Sequence, residues 1–194
     1  MGRLFDRIDA DIRSWLDRQH LFFVATAPLA ADGCINLSPK GHDALRVIDD
    51  QTLAWFDYGG SGIETLAHLR ENGRIVIMLC AFEGPPKIFR FHGRGTVFTP
   101  ADDGFEALAA HFDFSELGVR TIVRVDVKRI ADSCGFGVPL FGYEGQRRTS
   151  IDYMRRKSAD EIRDYFERNN AASIDGLPAM SADEARSFRP PGDD

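Results

Sequence analysis

Apolar positions recur along this chain with two different periods. Near the start, Leu4, Ile8, Ile12 and the Trp15/Leu16 pair fall at helical spacing with Asp and Arg between them, which predicts an amphipathic first helix. From Leu21 the period shortens. LFFVATAP (21–28) is a buried-strand run, AADG (30–33) a turn and CINLS (34–38) a second strand, so 21–38 reads as a hairpin. PKGHD follows as a loop. ALRVI (44–48) and TLAWFD (52–57) form a second hairpin around a DDQ turn. RIVIMLCAF (74–82) is a long apolar run, read as a central strand and ended by EGPP. In KIFRFHGRGTVF (87–98), Phe89, Phe91 and Val97 lie opposite Arg90, His92, Arg94 and Thr96. Pro100 opens a second helix over 101–112. In VRTIVRVDVKRI (119–130), Val119, Thr121, Val123, Val125 and Val127 alternate with Arg120, Ile122, Arg124, Asp126 and Lys128. Six or so strands of even length with short turns predict a mainly β, antiparallel barrel with flanking helices.

Beyond about residue 133 the pattern changes. SCGFGVPLFGYEGQRRT is glycine-rich and irregular, IDYMRRK and ADEIRDYFERNN read as helices, and SIDGLPAM and SFRPPGDD read as loop. The division expected is a barrel domain with its N-terminal helix over 1–133 and an irregular, helical extension over 134–194.

Composition narrows the function classes. A net charge of −6 counts against a nucleic-acid binder. No run is apolar and long enough to cross a bilayer, and the charged N-terminus has no signal core, so a cytoplasmic protein is expected. Cys34, Cys80 and Cys134 form no CxxC pair, and the five histidines form neither HxH nor HxxxH. No disulfide framework and no metal site are expected. Nor is there a GxSxG nucleophile, a Walker A loop or a GxGxxG fingerprint.

Three segments remain that suit an anion. GGSGIET (59–65) puts glycines and Ser61 before a helix, and Ser61 with Glu64 spells a capping box that predicts Ser61 as N-cap. Free amides at such a helix start bind phosphate, and the hydroxyl of Thr65 lies one turn in. The other reading is a capped turn that binds nothing. NLSPKG (36–41) sets Ser38 and Lys40 either side of Pro39, with Lys40 able to act as a point charge or to be an ordinary exposed turn lysine. Arg90, flanked by apolar residues, reads as an anion contact, whereas the row Arg120, Arg124 and Lys128 reads as a solvated outer face.

The order FFVATAP, INLSPKG, GGSGIETLAHLREN, CAFEGPPKIFRFHGRG and SCGFGVP resembles the pyridoxamine 5′-phosphate oxidase-like flavin-binding family. The resemblance covers residues 20–130 and is nearest to the family's short bacterial members. It implies a split β-barrel homodimer with FMN between the subunits. It assigns phosphate contacts to Ser38, Lys40, Ser61, Gly62 and Thr65, a basic contact near the flavin to Arg90, and the ribityl chain or ring edge to Trp55–Asp57. Partner residues around 134–143 would close the site. The implied activity is hydride transfer between flavin and a small-molecule substrate or a nicotinamide. This chain lacks two features of the vitamin B6 enzymes: it has Asn36 and Ser38 in place of an early basic pair, and its end is not Arg/His-rich. Two other readings stay open. One is a non-catalytic flavin or haem binder on the same barrel, with His68, His92 or His111 as haem ligands. The other is an interaction domain with no cofactor.

Overall fold

The computed structural model describes residues 2–116 and 118–191. Eight strands and six helices follow one another: β1 (Leu4–Phe5), α1 (Ala10–Leu16), β2 (Phe22–Thr26), β3 (Asn36–Lys40), β4 (Leu45–Val47), β5 (Thr52–Asp57), α2 (Glu64–Asn72), β6 (Arg74–Cys80), β7 (Ile88–Phe98), α3 (Phe105–Ala109), β8 (Thr121–Ser133), α4 (Thr149–Arg155), α5 (Ala159–Asn169) and α6 (Ala182–Arg186). All pairings are antiparallel. The sheet runs β3-β2-β6-β7-β8-β5-β4, with β1 added to β8. It curls round one core and stays open between β3 and β4, a half-barrel flanked by helices. The 74–82 strand, β6, is interior and paired on both sides, by β2 and β7, and the middle of the order is β7.

The core is where the two periods put it. Val24, Leu53, Ile77, Phe91, Val123 and Val125 are fully buried inside the curl. Strict alternation along β8 would turn Ile130 outward. A bulge opposite His92/Gly93 absorbs one residue of β8 and returns Ile130 to the core beside Phe91.

Several local expectations change. Leu4 belongs to β1, and α1 begins only at Ala10, because the Asp9 carboxylate accepts the Ile12 amide and caps it there. The second helix shrinks to the five residues of α3. The carboxy-terminal segment holds one helix more, α6. Ser158 with Glu161 and Ser181 with Glu184 form full capping boxes at α5 and α6, where SADE occurs twice. A second apolar cluster ties this segment to α2: Ile63, Leu66 and Ala67 pack with Met154, Ile162, Phe166 and Phe188.

Candidate functional site

Between β5 and α2 the chain makes a loop over 58–63. Gly59 sits at φ +85°, where L side chains are strained, and a Cβ there would run into the Phe166 ring. Gly60 and Gly62 are different. Neither has a positive φ, and a Cβ on Gly60 would meet no atom of the chain within 4 Å. Nothing among the described residues requires glycine at position 60.

The loop is shaped from behind by Arg120, which is 2% exposed. Its Nη1 donates to the Gly60 carbonyl at 3.2 Å and to Asn170 Oδ1 at 2.7 Å. Its Nη2 donates to Asp57 Oδ2 at 2.7 Å and to the Gly62 carbonyl at 3.0 Å. Asn170, also buried, donates through Nδ2 to the same Gly60 carbonyl at 3.2 Å and makes a long contact of 3.5 Å with the Ser61 carbonyl. In a trans peptide the C=O of one residue and the N–H of the next point in opposite directions. Holding the carbonyls of residues 60 and 61 inward therefore turns the amides of Ser61 and Gly62 away from Arg120. Those two amides have no partner among the described residues.

The capping box expected at Ser61 does not form. The N-cap is Ile63, whose amide donates to Glu64 Oε2 at 3.1 Å, and the Ser61 side chain is exposed and makes no capping bond. Arg120 explains the difference: it holds residues 60–62 as a loop, so the helix starts two residues later than the sequence motif implies.

Asp57 is the hinge of the charge pattern. Burial alone would raise its carboxyl. The charges of Arg120 and Lys40, with hydrogen bonds from Arg120 and the Gly59 amide, outweigh that and hold it well below the ordinary carboxylate range. Lys40 Nζ lies 3.5 Å from Asp57 Oδ1, with 18% of its side chain exposed. Both carboxylate oxygens thus face cations.

A polar ladder runs along the same face of β3. Ser38 Oγ donates to Asn36 Oδ1 at 2.9 Å, and Asn36 Nδ2 donates to Thr65 Oγ1 at 3.0 Å and Thr26 Oγ1 at 3.2 Å. Thr26 Oγ1 shares a 2.9 Å hydrogen bond with His68 Nδ1. This ladder joins Ser38 on β3 to Thr65 in the first turn of α2. At the far end of β3 the chain turns through His42 and Asp43, both at positive φ, and His42 packs edge-on against Tyr58. Here an aromatic groove of about 1050 Å³ opens, lined by Phe23, Pro39, Tyr58, Phe82, Phe141 and Tyr143. Arg18, Lys87, Arg147 and Glu83 also line it. Residues 141–146 bind here to their own barrel: the Phe141 amide donates to the Phe82 carbonyl, and Tyr143 stacks on His20.

Of the residues singled out in the sequence, Lys40 and Asp57 are in contact, Ser61 and Gly62 form the loop that follows Asp57, and Ser38 and Thr65 are joined through Asn36. Two stand apart. Trp55 is 1% exposed and edge-on to Phe22 inside the core, so its ring lies on no surface that a ligand reaches. Arg90 lies on β7 and shares the outer face with Phe23 and Pro39, opposite Lys40. Three strand spacings separate β7 from β3, roughly 14 Å, and Arg90 Nη1 donates to Ser133 Oγ at 3.0 Å. His68, a candidate ligand of the haem reading, is fully buried, with Nδ1 hydrogen-bonded to Thr26 and Nε2 without a hydrogen-bond partner among the described residues.

Arg120, read from the sequence as solvated, is the most consequential correction. Its own row carried the signal. Ile122 stands on the same face and is fully buried, so that face is covered where β8 begins. Asn170 carried no signal, since an Asn at a helix end is ordinary.

A curled antiparallel half-barrel with an outward-facing amide loop at the start of its buried helix defines a split-barrel protein. The family described as pyridoxamine 5′-phosphate oxidase matches residues 8–134. Over 93% of its length the chain is 32% identical to the pyridoxamine 5′-phosphate oxidase family protein ustO of Aspergillus flavus, of which it covers 78%. Among solved structures, HupZ of Group A Streptococcus superposes with a TM-score of 0.52 at 25% identity, covering 70% of this chain and 99% of that one. A variant of HupZ gives the same TM-score at 26% identity, covering 65% and 99%. The chain belongs to the pyridoxamine 5′-phosphate oxidase family. No helix among the described residues is long and apolar enough to cross a membrane.

Proposed function

We propose that this chain binds FMN as a homodimer and is a cytoplasmic oxidoreductase acting on a small-molecule substrate. The observation that carries the reading is the loop over residues 60–62. Its amides are turned outward, and Gly60 answers to no demand of the described residues. A phosphate needs such close approach to backbone N–H groups. The residues present fit the cofactor's anionic end. The amides of Ser61 and Gly62 donate to it, the Ser61 hydroxyl is free to join them, and Lys40 adds a cation from β3. Asp57 does not repel it, because Lys40 and Arg120 already neutralise that carboxylate.

Bound FMN would supply hydride transfer, and the protein supplies anchoring, an apolar slot and control of access. The aromatic groove beside Tyr58 is the slot we assign to a planar ring or substrate. A dimer would cover the outer face of β3, β2 and β6, where Leu37, Pro39, Phe23 and Met78 form an apolar strip and Leu37 is 63% exposed. The absorbance spectrum of the freshly purified protein, followed by titration of stripped protein with FMN, tests the proposal. Visible flavin bands or saturable uptake are expected. A colourless protein that takes up no FMN contradicts it.

A further inference from the structure

The carboxy-terminal segment has no part in the anion site as the sequence presents it, yet the structure places it directly behind and beside the loop. Asn170, the C-cap residue of α5, is fully buried and bonds both to Arg120 and to the Gly60 carbonyl. Phe166, one turn earlier in α5, closes the space behind Gly59 and lies under the Arg120 guanidinium, 5.4 Å from ring centre to Cζ. The Ile174 amide donates to Glu64, the first residue of α2, at 3.4 Å. On the open side of Gly60, α4 and α5 wall a cavity of about 250 Å³ with Thr149, Ser150, Tyr153 and Tyr165. The loop is thus bounded by two parts of the chain far apart in sequence, and neither alone fixes its shape.

We infer that residues 149–174 are a working part of the anion site, so that anion binding on loop 59–62 and docking of the α4–α5 segment are thermodynamically coupled. The inference rests on the proposed phosphate site. The physical reason is linkage. The loop presents its amides only while Arg120 and Asn170 hold its carbonyls, and Asn170 is there only while α5 is docked. Whatever binds the amides therefore also favours the docked segment, and the reverse holds by the same amount. Asn170 acts as a positioning residue, since it contacts the loop and not the ligand.

Hydrogen–deuterium exchange on the full chain, with FMN and separately with inorganic phosphate, tests this without any variant. Either anion should slow exchange in the loop and also in 163–174, on the other side of the Arg120–Asn170 contact. Protection confined to the loop overturns the coupling. If FMN is not taken up but phosphate protects both segments, the coupled anion site stands and the flavin reading falls. If neither anion protects the loop, both fall. A second arm uses Asn170→Ala and, should that variant not fold, Asn170→Ser. The coupling predicts that FMN affinity drops about tenfold while riboflavin, which lacks the phosphate, moves less than twofold. An equal loss for both flavins would mean a merely structural Asn170 and would contradict the inference.

Discussion

Two arginines of the same sheet region, one on β7 and one just ahead of its neighbour β8, have very different surroundings. Arg120, just ahead of β8, spends four hydrogen bonds on Asp57, Asn170 and two loop carbonyls, and is almost wholly buried. Arg90, on β7, gives one recorded bond to the Ser133 hydroxyl and stays half exposed on the outer face. The difference comes from what covers each face. Both faces of the sheet are covered where β5 ends and β8 begins, by the loop and the carboxy-terminal segment on one side and by the core on the other. A guanidinium can remain there because its planar fork meets several acceptors at once and an ion pair offsets its desolvation. The outer face of β7 asks nothing comparable of Arg90. The lesson is that a buried arginine bonded to a loop tells more about how the candidate site is built than a half-buried one bonded to a single hydroxyl.

The contrast can be broken first at its strong end. Arg120→Ala leaves buried Asp57 with Lys40 as its one remaining cation and strips the Arg120 donor from Asn170 Oδ1 and the Gly62 carbonyl, while the Gly60 carbonyl keeps only Asn170. Removing one partner of a buried pair costs about 3–5 kcal/mol, and denaturant unfolding should show a loss of that size. Asp57 supplies the next largest effect, through pH. Its pKa in the folded protein lies below the ordinary value of 3.8, so the unfolded chain takes up the proton first. The stabilisation is complete above that ordinary value and is lost as pH falls below it towards the folded pKa. Unfolding curves taken from about pH 7, well above the ordinary carboxylate range, down to about pH 3, just below it, should be flat and then begin to fall. Asp57→Asn should remove much of that acid-side slope while lowering stability at neutral pH.

Smaller effects sharpen the ligand side of the contrast. Lys40→Ala loses a partly exposed ion pair, worth about 0–1 kcal/mol to stability, but should weaken FMN about tenfold, or roughly 1.4 kcal/mol. Gly60→Ala has room and no positive φ to oppose it, so stability should stay within about 0.5 kcal/mol. Its methyl group should still weaken FMN several-fold in the same titration. Arg90→Ala should be the mildest, with stability within about 0.5 kcal/mol and FMN affinity within about twofold. A loss there as large as that of Lys40→Ala would bring Arg90 back to the site.

Most of the sheet was legible in the sequence because its strands alternate cleanly and its turns carry Gly, Pro and Asp. The departures have physical causes. Leu4 fits a helical period but pairs with Ala131 on the edge of β8, a long-range contact that no local pattern signals. Ser61 and Glu64 spell a capping box, yet Arg120, 59 residues beyond Ser61, decides where the helix starts. The pieces of the candidate site that lie close in sequence, the glycine loop, Lys40 and the Ser38 strand, could be singled out as candidates. The support of that loop could not, because Arg120 and Asn170 are brought to it only by folding of the whole chain. Trp55 was misplaced for a related reason: adjacent strand residues face opposite ways, and at the buried end of β5 both directions lead into packed interior.

The central claim is that loop 59–62 is a phosphate anchor. Titrating the stripped wild-type protein with FMN and with riboflavin, in the same buffer and free of inorganic phosphate, tests it most directly. The account predicts that FMN binds at least about tenfold more tightly, a difference of roughly 1.4 kcal/mol supplied by the amides and Lys40. Equal affinity for the two flavins, or no binding of either, would contradict it.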